Sequence, residues 1–155
     1  MLNLNRIHPT AASPTGTLTL SFDERVKSRQ RVILDNGQAA GLFMERGTIL
    51  QQGDLLAAES GEIIQVIAAP ESVSTAYVTD PLMMARCSYH LGNRHVPLQI
   101  AEGFLRYQHD HVLDNMLRGQ GVEITLEQAP FEPEAGAYGT HRQTHEHSAG
   151  HDHAH

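Results

Sequence analysis

The sequence predicts an α+β protein: an all-β N-terminal domain, then a ferredoxin-like βαββαβ domain, then a disordered histidine-rich tail. Three observations carry this. Through residues 1–70, short runs of strand-forming residues are punctuated closely by glycine. From Pro70 onward, strand-like runs are interleaved with two stretches of helical spacing. The last fifteen residues hold six histidines and no apolar periodicity.

Composition narrows the functional classes. A chain of 155 residues with 40% hydrophobic and 19% charged residues reads as a soluble globular protein. The formal charge of −7 argues against general nucleic-acid binding, which needs a basic surface. No apolar run approaches the roughly 18 residues of a membrane span. The opening MLNLNRIHPT lacks the layout of a secretory signal, and one cysteine allows no internal disulfide. Together these predict a cytoplasmic protein.

The first domain is placed at residues 1–70. Thr17-Leu18-Thr19-Leu20-Ser21-Phe22 alternates polar and apolar side chains, as a half-buried strand does. Val32-Ile33-Leu34 and Gly41-Leu42-Phe43-Met44 flank Asp35-Asn36-Gly37. That Asn-Gly pair predicts a hairpin with a type I′ turn, whose two central residues both need positive φ. Gly47, Gly53 and Gly61 separate further short strands, among them 63–67, which together suggest a small barrel or two stacked sheets. Arg25, Lys27, Arg29 and Arg31 fall on alternate positions, so an extended strand would carry them on one face. Two readings of that stripe stand side by side: a charged edge that resists pairing, and a basic strip that docks an acidic protein partner.

Ala69-Pro70 marks the predicted boundary, because proline donates no ladder bond and holds the residue before it extended. Residues 1–70 carry 6 basic and 7 acidic side chains, residues 71–140 carry 4 and 9. The second domain is placed at 71–139. It reads as a strand at 73–78 and a helix opened by Asp80-Pro81 and closed at Gly92-Asn93. Strands follow at 96–100 and 103–107, then a helix capped by Asp110 with Leu113, Met116 and Leu117 buried, and a last strand at 122–126. This order is that of a ferredoxin-like fold. Residues 130–138 read as irregular and lead into the tail, placed at 140–155.

The chemistry is concentrated in histidine. Between Cys87 and His111 lie His90, His95, His109 and His111. Neutral imidazole offers a lone pair to borderline metals such as Ni, Zn, Cu and Co. His90 and His95 bracket Gly92-Asn93, a pair able to end a helix in a left-handed residue. His109 and His111 would share one face of an extended strand. In the tail, His141, His145, His147, His151, His153 and His155 form a composition typical of metal binding.

The runs CSYHLGNRHVPLQI and LRYQHDHVLDNML, followed by APFEPEAGAYGTH and the histidine-rich end, resemble the UreE family of urease accessory nickel metallochaperones. RVKSRQRVILDNG and GDLLAAESGEIIQVIAA extend the resemblance over essentially the whole chain. It implies a ferredoxin-like metal-binding domain and a nickel site at a homodimer interface, on His95. It implies further metal-binding histidines at His109 and His111, and a first domain that engages protein partners. The activity it implies is delivery of Ni(II) to apo-urease through the urease accessory GTPase and the rest of the maturation complex, with no enzymatic turnover. Nickel itself is chosen by this resemblance. Zn(II), Cu(II) and Co(II) suit the same ligands, and copper has the greater intrinsic affinity.

Physical reasoning supports such a role. Near a two-fold axis a residue meets its own copy, so two His95 rings make a half-site without a second motif. An open site exchanges ligands faster than a closed cage, and a tethered tail supplies imidazoles at an effective concentration of about mM. His90 reads as a packing residue, and Cys87 as a core residue with a soft sulfur. A histidine-rich metal buffer without dedicated delivery is the alternative function. A metallohydrolase would need a carboxylate base at an open metal; Glu102 and Asp110 are near in sequence, but no HExxH motif exists.

Overall fold

A computed structural model describes residues 1–136. The chain divides into two compact units, built on Met1–Ala68 and Ala69–Glu134. The expected disorder of the tail at 140–155 lies outside the described residues.

The first unit is β-rich. Its elements are β1 (Leu2–Ile7), β2 (Gly16–Leu20), the one-turn helix α1 (Phe22–Arg25), β3 (Arg29–Ile33), β4 (Ala39–Phe43), β5 (Leu55–Ala58) and β6 (Ile63–Ala68). They make a single six-stranded sheet in the order β2-β6-β5-β1-β4-β3, with β1–β4 and β2–β6 parallel and the other pairs antiparallel. Alternation decides the inner face: Leu2 and Leu4, Leu18 and Leu20, Ile64 and Val66 all enter one apolar cluster with Leu42 and Leu56. The sheet curls so that its outer strands approach. Asp35, just past β3, donates its N–H to Thr17 O at 3.0 Å. Its carboxylate accepts from the Thr17 and Thr19 hydroxyls of β2, each at 2.7 Å. One near-barrel sheet therefore replaces the two stacked sheets that short strands also allow.

Three expectations for this half are corrected. The strand expected across 17–22 stops at Leu20, and Ser21 starts α1 instead. Ser21 Oγ accepts from Glu24 N while Glu24 Oε1 accepts from Ser21 N at 2.8 Å, a reciprocal cap that turns the chain out of the sheet. Arg25 consequently falls inside, 1% exposed, with Nε on Leu20 O and Nη1 on Leu50 O at 3.3 and 3.2 Å. The four-residue basic stripe does not exist; Arg29 and Arg31 alone lie on a strand, the outer strand β3, which favours the charged-edge reading for them. The hairpin between β3 and β4 forms as expected, with a different turn. Gly37 has φ 93 while Asn36 does not have positive φ, so the turn is not type I′. Gly37 N donates to Leu34 O and Leu34 N to Gln38 O, each at 2.8 Å, which makes a type I turn over Asp35 and Asn36 closed by a left-handed glycine.

The second unit mixes helix and strand: β7 (Pro70–Tyr77), α2 (Pro81–Gly92), β8 (Gln99–Ala101), β9 (Phe104–Gln108), α3 (His111–Gly119) and β10 (Ile124–Pro130). Its four strands are all antiparallel in the order β10-β7-β9-β8. Local signals fix both helix starts. Asp80 accepts from Met83 N ahead of Pro81, and Asp110 accepts from Val112 N and Leu113 N. Cys87 and Leu91 from α2 and Leu113 and Leu117 from α3 meet Leu105 and Tyr107 of β9 in one core.

The strand expected at 96–100 shortens to Gln99–Ala101, since Pro97 has no N–H to offer a ladder. After β10 the chain runs irregularly, with Phe131 fully buried, Glu132 N on Gln99 Oε1 at 3.0 Å and Glu134 N on Leu98 O at 2.7 Å.

Candidate metal centre

His95 follows α2 in a turn. Arg94 N and His95 N donate to Leu91 O and Gly92 O, both at 3.0 Å, which prolongs the helix end by tight turns. The left-handed residue expected at Gly92-Asn93 falls elsewhere: Asn93 is right-handed at φ −65, and His95 has φ 56. His95 is the only non-glycine residue with positive φ among the described residues, and its side chain is exposed. A left-handed L-residue is strained by about 1–2 kcal/mol, and such strain clusters at functional sites.

His109 and His111 do not share a strand face. β9 ends at Gln108, Asp110 takes the N-cap, and His111 is the first residue of α3. The cap requirement of the helix overrides the alternation that the spacing implied. Both side chains remain exposed, on either side of the strand-to-helix junction. His109 is held from within: its Nδ1 lies 3.1 Å from Ser74 Oγ and 3.4 Å from Asp114 Oδ2. Asp114 is 1% exposed and accepts the Tyr107 hydroxyl at 2.7 Å. Burial, then the Asp114 carboxylate, drive the Tyr107 phenol far above its ordinary pKa, so it stays protonated as a donor.

Sequence reasoning missed Ser74, Tyr107 and Asp114. A usable signal was present for Asp114, an acidic residue beside Leu113 on the inward face of an amphipathic helix.

The remaining candidates separate clearly. Cys87 is 0% exposed in the core, and burial pushes its thiol up, which suits packing rather than ligation. His90 is half-buried near the end of α2 with its ring edge-on to Tyr89, centroids 5.3 Å apart. His141, His145, His147, His151, His153 and His155 lie outside the described residues. Among the described residues, no three of His, Cys, Asp and Glu converge closely enough to hold an ion. No described helix is long and apolar enough to cross a membrane.

The chain is a β-rich unit followed by a mixed α/β unit with imidazoles exposed at its element ends, and comparison with known proteins places it among accessory proteins rather than enzymes. Family models for the N-terminal and C-terminal domains of the UreE urease accessory protein match residues 2–69 and 71–155. The chain belongs to the UreE family of urease accessory proteins. It is 59% identical over 139 residues to the urease accessory protein UreE of Pseudomonas putida, covering 89% of this chain and 86% of the relative. The Alkalilimnicola ehrlichii relative of the same name is 57% identical over 139 residues, covering 90% and 85%. A third, from Escherichia coli, is 52% identical over 154 residues, covering 99% and 100%.

Proposed function

We propose that this protein is a cytoplasmic nickel carrier for urease maturation, which binds Ni(II) between two copies of the chain and passes it to apo-urease through the accessory GTPase. The observation that carries the reading is His95, an exposed imidazole held in a strained left-handed turn at the end of a helix. Two-fold pairing brings two such rings onto one ion and leaves positions open for exchange. His109 and His111 supply a second set of exposed nitrogens on the same unit, and the tail histidines from His141 to His155 collect ions by mass action. Zn(II), Cu(II) and Co(II) compete for the same nitrogens.

In this reading residues 1–70 engage protein partners, residues 71–139 bind metal and dimerise, and residues 140–155 form the collecting tail. The strand order β10-β7-β9-β8 with two intervening helices supports a ferredoxin-like assignment for the second domain. The direct test is His95→Ala in a chain ending at Gly139, followed by nickel titration. Loss of the tight site with the dimer still folded is expected, and unchanged tight binding would refute the assignment.

A further inference from the structure

Asp114 is a carboxylate on the inward face of α3, flanked in the core by Leu113 and Leu117. A buried charge in such a place needs committed partners. Tyr107 donates its hydroxyl to Oδ1 at 2.7 Å, and Oδ2 is directed toward His109 Nδ1 at 3.4 Å. Ser74 Oγ lies 3.1 Å from the same Nδ1.

The buried carboxylate decides the roles in this group. An ionised carboxylate only accepts, so Asp114 favours a His109 ring that carries hydrogen on Nδ1. Tyr107 has given its hydrogen to Oδ1 of Asp114, so Oδ2 is left to accept from the ring. Ser74, whose hydroxyl both donates and accepts, turns a lone pair toward such an Nδ1–H. The carboxylate thus asks for Nδ1–H, the tautomer that a histidine ring free in water disfavours. Nε2 is left as the lone-pair nitrogen, on a side chain that is 42% exposed.

We propose that Asp114 is a positioning residue: with Ser74 and Tyr107 it locks His109 in the Nδ1–H tautomer and so makes Nε2 the nitrogen that ligates a divalent first-row cation. The ligating half of this statement rests on the reading of His109 as a metal-binding residue. The tautomeric half does not, and the two are measured separately.

Asp114→Asn is the informative change because it keeps the shape and reverses the demand. Tyr107 still donates to the amide oxygen, and the amide NH₂ now faces Nδ1, which must become the acceptor. The full-length chain, ¹⁵N-labelled and metal-free, is observed by long-range ¹H–¹⁵N correlation near pH 8, above the ordinary imidazole pKa of about 6.5. His109 is assigned by the signals lost in His109→Gln. The expected result is Nδ1–H in the native chain and Nε2–H in Asp114→Asn. Ser74→Ala, which removes the hydroxyl and leaves the Asp114 carboxylate facing Nδ1, should keep Nδ1–H and serves if Asp114→Asn does not fold. A native Nε2–H ring, an Nε2–H ring in Ser74→Ala, or an unchanged tautomer in Asp114→Asn overturns the positioning role. Nickel is then added, and its broadening of the His109 signals should require about tenfold more metal in Asp114→Asn. Equal sensitivity in the two chains overturns Nε2 as the ligating atom. If nickel leaves the His109 signals of the native chain untouched, the metal-binding reading fails while the tautomer result still decides the positioning.

Discussion

The Asp35 carboxylate accepts the Thr17 hydroxyl at 2.7 Å, and with that bond the two outermost strands of the N-terminal sheet meet. Thr19 adds its own hydroxyl at 2.7 Å and its N–H at 3.3 Å. The Thr17 bond is the largest cause holding the Asp35 carboxyl below its ordinary pKa; partial burial opposes it, and Thr19 adds to the lowering.

Asp35→Ala should therefore cost about 1 kcal/mol, the modest figure reflecting an exposed carboxylate screened by solvent. The sign with pH follows from the lowered folded value. The contribution is complete above the unfolded carboxyl pKa of about 3.9 and disappears as pH falls through the folded one. Urea unfolding at pH 7 and at about pH 3 checks both parts; a gap between the two chains that persists in acid would contradict this account.

Arg25 should tolerate replacement far worse than its neighbours in sequence. Arg25→Met keeps bulk but leaves the Leu20 and Leu50 carbonyls without their donor, at a cost of about 2–3 kcal/mol. Arg29→Gln and Arg31→Gln, on the exposed side of β3, should stay within about 0.5 kcal/mol. Denaturation midpoints of the three variants at unchanged slope decide this.

His95→Gly and His95→Ala remove the same imidazole but differ at the backbone. With φ at 56, glycine should be the more stable variant by about 1 kcal/mol. A thermal melt that ranks alanine higher would show that the turn is not left-handed in solution.

Nickel affinity should fall as pH drops through about 6.5, because the ion must displace protons from imidazole. Calorimetric titration at a series of pH values tests this. Binding that persists undiminished to about pH 4.5 would assign the ligands to carboxylates instead.

On the proposed reading, ending the chain at Gly139 should leave both units folded and the chain dimeric while lowering the number of ions bound per dimer, since the six tail histidines are gone. Urease activation should then suffer chiefly when nickel is scarce. Native mass and metal content of the two chains, measured together, check it; equal metal content would remove the collecting role of the tail.

What could be read in the sequence was what short-range chemistry decides. Asp80-Pro81 and Asp110 name their helices because a cap satisfies N–H groups two or three residues away. Ser21 and Glu24 form an equally local signal, but the alternation from Thr17 to Phe22 runs straight over it, and the cap prevails. The alternation of Leu2 and Leu4 with Asn3 and Asn5 is a local signal for β1 that the sequence reading passed over, and its parallel pairing with β4 is a long-range choice. His95 was visible as a candidate ligand, but the left-handed residue was expected just before it, at Gly92-Asn93, because glycine and asparagine are the usual left-handed helix ends. The cradle of His109 joins residues 74, 107 and 114, which nothing in their spacing connects before β7 and β9 pair.

The middle position of β1 makes the first strand of this unit to be synthesised among the last to find its place. Leu2 pairs with Ala40 and Leu4 with Ala58, so the strand waits on the ribosome until both partners have emerged. Closing loops of that length before any contact rewards them is slow, so β1 should dock late in the folding of its unit. Deletion of the first six residues would leave β2-β6-β5 and β4-β3 as two fragments with unpaired edges facing each other, a form prone to self-association rather than a smaller barrel.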